Sequence, residues 1–134
     1  MEYSMANDVY GTVFRNAGAT FLARIANDNG TFLKASEIES LVYTIYVLDN
    51  QRPDFRESIF GHQRIFIIPD AVFSETLQTG DIWKADSIGY NFRHTISTNQ
   101  ADPFPESGRN YLVEYRISPK NSESFLVRFR VNSI

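Results

Sequence analysis

The clearest pattern lies in the last quarter of the chain, where apolar and charged residues alternate on either side of a polar stretch. Tyr111, Val113, Tyr115 and Ile117 alternate with Leu112, Glu114 and Arg116. Phe125, Val127, Phe129 and Val131 alternate with Leu126, Arg128 and Arg130. Successive side chains on a strand point to opposite faces, so this period of two puts aromatics and valines on one side and charges on the other. Residues 118–124 lie between the two runs, and the whole reads as a β-hairpin with one apolar face. Such a face must be covered, which predicts a second sheet from the rest of the chain.

The same alternation, read from the N-terminus, predicts a strand over residues 9–15, a turn at 16–18 and a second strand over 19–26. Asn27, Asp28, Asn29 and Gly30 follow; Asn-Gly between apolar runs is a strong hairpin signal, so 31–34 is expected to return as a short strand. Residues 35–40 form a brief connection, room for one helical turn. Residues 41–48 are a long strand with Leu41, Tyr43, Ile45 and Val47 inward. Its other face, Val42, Thr44, Tyr46 and Leu48, is too apolar to be fully wet and is expected to be partly covered. Residues 64–68 are a strand ended by Pro69. Residues 71–78 are ambiguous between strand and helix, with a helical turn conceivable at 74–77. Residues 88–97 are a further strand, and 98–110 a loop in which Phe104, between Pro103 and Pro105, tucks its ring against the core.

About eight short strands with turn signals between them predict an all-β, antiparallel β-sandwich with one short helical turn. The domain spans residues 9–134. Residues 1–8 are polar and patternless and read as a flexible N-terminal arm, either frayed or ordered against a neighbouring subunit. Residues 49–63 are the loosest internal region, with Pro53, Gly61 and the charged residues Asp49, Arg52, Asp54, Arg56 and Glu57. A loop this long in a compact domain is functional or mobile, which makes it the first candidate for contacting a partner.

Composition narrows the class. At 134 residues the chain is one domain with room for a core, and an aromatic share of 14% favours strands. A net charge of −3 argues against non-specific binding to nucleic acid. The absence of cysteine excludes disulfides, thiolate chemistry and cysteine-ligated zinc. No apolar run is long enough to suggest a membrane span, and the N-terminus has neither the basic nor the apolar part of a signal peptide.

No motif for catalysis, metal or phosphate stands out, and neither enzymatic activity nor a cofactor is expected. A nucleophile with a positioned base would have to use His62 or His94, and no Gly-x-Ser-x-Gly elbow is present. Asp81 and Asp86 flank Trp83, the only tryptophan, in an arrangement that would suit a carbohydrate site; a solvated loop with a core-plugging tryptophan is the plainer reading. Arg116, Arg128 and Arg130 should share the outer face of the closing hairpin with Glu114, in cross-strand ion pairs or as a seat for an acidic partner. The candidate partner contacts are therefore Arg52, Asp54, Phe55, Arg56, Arg116, Arg128 and Arg130.

The residues Ile38-Glu39-Ser40-Leu41-Val42-Tyr43-Thr44-Ile45-Tyr46-Val47-Leu48-Asp49, then Thr76-Leu77-Gln78-Thr79, Trp83, Asp86, Gly89-Tyr90-Asn91-Phe92-Arg93-His94, Phe104-Pro105 and Tyr111-Leu112-Val113-Glu114-Tyr115 carry a resemblance. The pattern, over about residues 9–131, resembles small uncharacterised proteins of tailed phages and prophages. The resemblance implies an immunoglobulin-like sandwich in a non-enzymatic virion structural protein made in the host cytoplasm. Within that class a capsid decoration or cement protein is expected first, and a tail, baseplate or head–tail connector component next. The implied partners are the major capsid protein or tail proteins; pairing of edge strands could also make a homo-oligomer. A carbohydrate-binding module is the alternative from another class.

Overall fold

A computed structural model of the protein describes residues 7–13, 18–26, 31–49, 51–52, 55–78, 90–97 and 101–134. Among them are nine strands: β1 (Asn7–Val13), β2 (Ala19–Ala23), β3 (Ile38–Leu48), β4 (Arg56–Ser58), β5 (Ile65–Phe66), β6 (Phe73–Gln78), β7 (Tyr90–Ile96), β8 (Asn110–Pro119) and β9 (Phe125–Ser133). A 3-10 turn, Ala35–Glu37, precedes β3, and a short helix α1, Pro69–Val72, precedes β6. The helical turn conceivable at 74–77 is strand instead. Helix begins earlier because Pro69 stands at its first position, where a fixed φ and a missing N–H do no harm.

The strands form an all-β sandwich. One sheet runs β1-β9-β8-β3-β4 with β5 also on β3, and the other runs β2-β7-β6. Among the described residues three strands thus face six. All pairings are antiparallel except β1 on β9, which is parallel from Asn7↔Val127 to Val13↔Ser133. β1 therefore starts inside the stretch expected to be an arm. Tyr111 stands at the start of β8. Its hydroxyl accepts the Glu106 N–H at 2.9 Å and donates to the Glu106 carbonyl at 3.1 Å, which is the tyrosine corner.

The closing hairpin is present, paired from Ile117↔Phe125 through Tyr111↔Val131. Its apolar face is buried, with Tyr111, Val113, Tyr115 and Ile117 sealed from solvent. Rings knit the two sheets together. Phe21 of β2 lies 4.8 Å from Phe129 of β9, and Phe92 of β7 lies 5.0 Å, edge-on, from Tyr115 of β8. Edge-to-face geometry sets the positive ring edge against the negative face, worth about 0.5–1.5 kcal/mol per pair beyond area burial. Phe104 is fully buried and sits edge-on to Tyr111 at 5.3 Å, so its ring does tuck into the core.

The return strand expected over 31–34 shrinks to one bridge, Ala26↔Phe32, with Leu33 N–H bonded to the Ile25 carbonyl; the Asn29-Gly30 turn lies outside the described residues. Buried Asn91 of β7 does the work of a longer ladder here. Its Oδ1 accepts the Ile25 N–H, and its Nδ2 donates to the Ile25 and Leu33 carbonyls, each at 2.8 Å. An amide side chain satisfies backbone groups that a short irregular strand leaves over.

Candidate docking face

The face of interest begins where β3 ends. Asp49 Oδ1 accepts the N–H groups of Gln51 and Arg52 at 2.8 and 2.9 Å. These backbone bonds hold its carboxyl below the usual range. The Phe55 carbonyl accepts the Asp49 N–H, so the chain reverses into β4. β4 pairs Tyr46↔Ser58, Val47↔Glu57 and Leu48↔Arg56. Three residues of the region expected to be loose, Arg56–Ser58, are thus a short edge strand.

After β4 the chain turns its apolar residues both ways. Ile59 is buried and its N–H reaches the Ile45 carbonyl; the Ile45 N–H in turn reaches the His62 carbonyl. Between them Gly61 takes φ +83°, and a Cβ there would lie 2.6 Å from that of Ala101. Only glycine suits this place, since the left-handed region is open to it at no steric cost. The turn pushes Phe60 outward, and β5 exposes Phe66 while turning Ile65 inward. The result is a segment, residues 55–68, that leaves Phe55, Phe60, Phe66 and Ile68 58%, 82%, 75% and 71% exposed.

A polar clamp holds this segment to the core. His62, buried, lies 2.8 Å from the Tyr43 hydroxyl through Nδ1 and 2.9 Å from the Ala101 carbonyl through Nε2. A carbonyl can only accept, so Nε2 carries the proton and Nδ1 accepts from Tyr43. His94 also packs on Tyr43, with ring centres 5.1 Å apart, and its Nδ1 is 2.6 Å from the Tyr115 hydroxyl. Burial lowers the His94 pKa to about 4 and raises that of Tyr115 well above 10. The two histidines thus approach the same tyrosine, each through a ring contact. Among the described residues the hydrogen bonds of these rings go to tyrosine hydroxyls and a backbone carbonyl. An open cleft of about 430 Å³ lies over them, walled by Ile65, Phe66, Ile67 and Ile68.

The outer face of the large sheet adjoins this segment. Arg56 stacks over the Tyr46 ring at 4.1 Å and lies 3.5 Å from Glu114 Oε2; Arg128 Nε is 3.9 Å from the same oxygen. Glu114 stands opposite Arg128 in the hairpin and opposite Thr44 on β3. The expected cross-strand ion pairs are therefore present, extended to Arg56 of β4. Arg116 stands opposite Leu126, and Arg130 opposite Leu112, on the same outer face. Arg52 and Phe55 form a separate cation–π pair at 4.3 Å. Val42 and Tyr46 are half-buried and Thr44 is buried, so the outer face of β3 is partly covered as its composition implies.

The structure thus gathers Arg56, Arg116 and Arg128 near Glu114, sets Arg130 further along β9, and puts Arg52 with Phe55 at the hairpin. Asp54, and the carbohydrate candidates Asp81, Trp83 and Asp86, lie outside the described residues. Sequence reasoning missed Phe60, Phe66 and Ile68. The available signal was Phe66-Ile67-Ile68, apolar at consecutive positions where a strand with one wet face should alternate. Among the described residues no group of three or more His, Cys, Asp or Glu could hold a metal, and no helix is long and apolar enough to cross a membrane. Set against family models and against curated proteins, the chain matches none.

Proposed function

We propose that this protein is a non-enzymatic structural component that works by docking on another protein, in the virion of a tailed phage, and that it decorates the capsid shell. The observation that carries the docking reading is the segment 55–68, with four large apolar side chains in water on one edge of the sandwich. Isolated apolar residues on a surface are ordinary, but this many large ones on one short segment mark an interaction site. The clamp from Tyr43 through His62 supports it, because it presents those side chains from a fixed backbone and lowers the ordering cost on binding. The phage setting is supported by the sequence resemblance, within which decoration is the role expected first. A sandwich hosts many functions, so the surface carries the reading and the fold does not.

The test is sedimentation of particles from the native source with quantitative mass spectrometry of the heavy fraction. Co-sedimentation at a ratio close to unity with a major shell protein is expected. A few copies per particle would move the protein to the tail, baseplate or connector. A protein found only in the light fraction would overturn the virion reading.

A further inference from the structure

The outer face of the large sheet holds a cleft of about 450 Å³, floored by Thr44 and Tyr46 and bordered by Arg64, Arg116, Glu114 and Leu126. We infer that this cleft seats a carboxylate side chain of the docking partner, carried on a segment that mixes acidic and apolar residues. The inference rests on the docking reading above and gives the partner its chemistry.

Arg64 is the key residue. It is the one non-glycine residue with positive φ among the described residues, at 49°. The left-handed region is unfavourable for a side chain of this size, and strain of this kind persists where the surroundings enforce it, often at functional positions. The enforcing contacts are visible. Thr44 Oγ1 accepts the Arg64 N–H at 2.9 Å, and the neighbouring Gln63 side chain donates to Ser58 Oγ at 2.6 Å. The Arg64 guanidinium has no ion-pair partner among the described residues. Thr44 spends its oxygen on the Arg64 N–H, and its hydroxyl hydrogen has no acceptor among them. Donors thus border the cleft from its floor and from Arg64, with the charge of Arg116 beside them. A carboxylate accepts from all of these, and arginine's planar fork can hold it through two bonds.

Charge points the same way. Among the described residues lining the cleft, Arg64 and Arg116 are basic and Glu114 is the one acid, already held by Arg56 and Arg128. The whole chain carries −3, whereas the described lining of the cleft sets two arginines against one acid already held, which favours a negative partner. The floor and rim favour a peptide over nucleic acid. Tyr46 and Leu126 are in the cleft, and exposed Phe66 stands opposite Val42 on the β3 edge. Apolar contacts of this kind suit neighbouring side chains, whereas a phosphate backbone calls for a longer basic track.

The experiment is fluorescence anisotropy with a labelled short peptide alternating Glu and Leu, against a Lys–Leu peptide and a single-stranded oligothymidylate. The Glu–Leu peptide should bind, the Lys–Leu peptide should not, and added salt should weaken binding. Arg64→Gly removes the guanidinium but relieves the backbone, so its melting temperature should hold or rise while affinity drops about tenfold or more. Arg116→Gln should weaken binding in the same sense. Undiminished affinity in Arg64→Gly, or preference for oligothymidylate, would overturn the carboxylate seat. Particle association separates this from the parent reading. If Arg64→Gly stays on particles while Phe60→Ser leaves them, docking stands and the carboxylate seat fails; if the wild-type protein never associates, docking itself fails.

Discussion

The Tyr43 hydroxyl donates to His62 Nδ1 across 2.8 Å, joining the core strand β3 to the turn that exposes Phe60. With Nε2 of His62 on the Ala101 carbonyl, one imidazole ties three parts of the chain together. A buried hydrogen-bonded group of this kind costs most when only one partner is removed.

Tyr43→Phe should therefore destabilise the protein by about 1–3 kcal/mol, because it leaves buried Nδ1 without a donor. The loss should be local as well as global. Amide exchange at residues 59–62 should speed up more than exchange in β8, measured by hydrogen exchange with mass spectrometry. Equal acceleration throughout would mean that the clamp does not specifically hold the turn.

His94 makes stability depend on pH in a defined window. Its pKa in the fold is about 4, against an ordinary value near 6.5. Between these values the unfolded chain binds a proton that the folded chain refuses, so stability falls as pH drops from about 6.5 to about 4. At 1.36 kcal/mol per pH unit the loss is on the order of 3 kcal/mol. Denaturant titrations across this range should show that fall in the wild type and a shallower one in His94→Gln. Parallel curves would contradict the burial of a neutral imidazole.

Asn91 should be among the least replaceable polar residues. Asn91→Leu keeps the volume but strands the Ile25 N–H and the Leu33 carbonyl, at about 1–3 kcal/mol for each unsatisfied group. Urea unfolding should show a loss of several kcal/mol, and Asn91→Asp should also fail because it cannot donate.

Phe60→Ser should do the opposite. The ring is almost wholly in water, so stability should change within about 0.5 kcal/mol. Particle association should fall sharply. Retained association with this variant would move the interface elsewhere.

The parts legible in the sequence were those governed by alternation. The closing hairpin and β3 announced their faces, and Glu114 among Arg116, Arg128 and Arg130 announced ion pairing. What alternation cannot state is which strand lies beside which. The parallel pairing of Asn7–Val13 with β9 joins opposite ends of the chain, and no local pattern encodes it. In the stretch 49–63, expected to be loose, the strand Arg56–Ser58 and the exposed Phe60 are hidden because the apolar residues switch direction at Gly61. Ile59 and His62 point inward and Phe60 outward through a left-handed turn, which breaks the period of two. Asn91 and Arg64 were illegible for a related reason: their roles depend on partners distant in the chain, at Ile25, Leu33 and Thr44.

The most direct test of the docking account is hydrogen exchange of the protein free and bound to particles. The account predicts protection on binding concentrated in residues 55–68 and on the outer face of β3, with the tyrosine corner near Tyr111 unchanged. Protection confined to the 101–110 loop or the small sheet, or none anywhere in a bound protein, would contradict it.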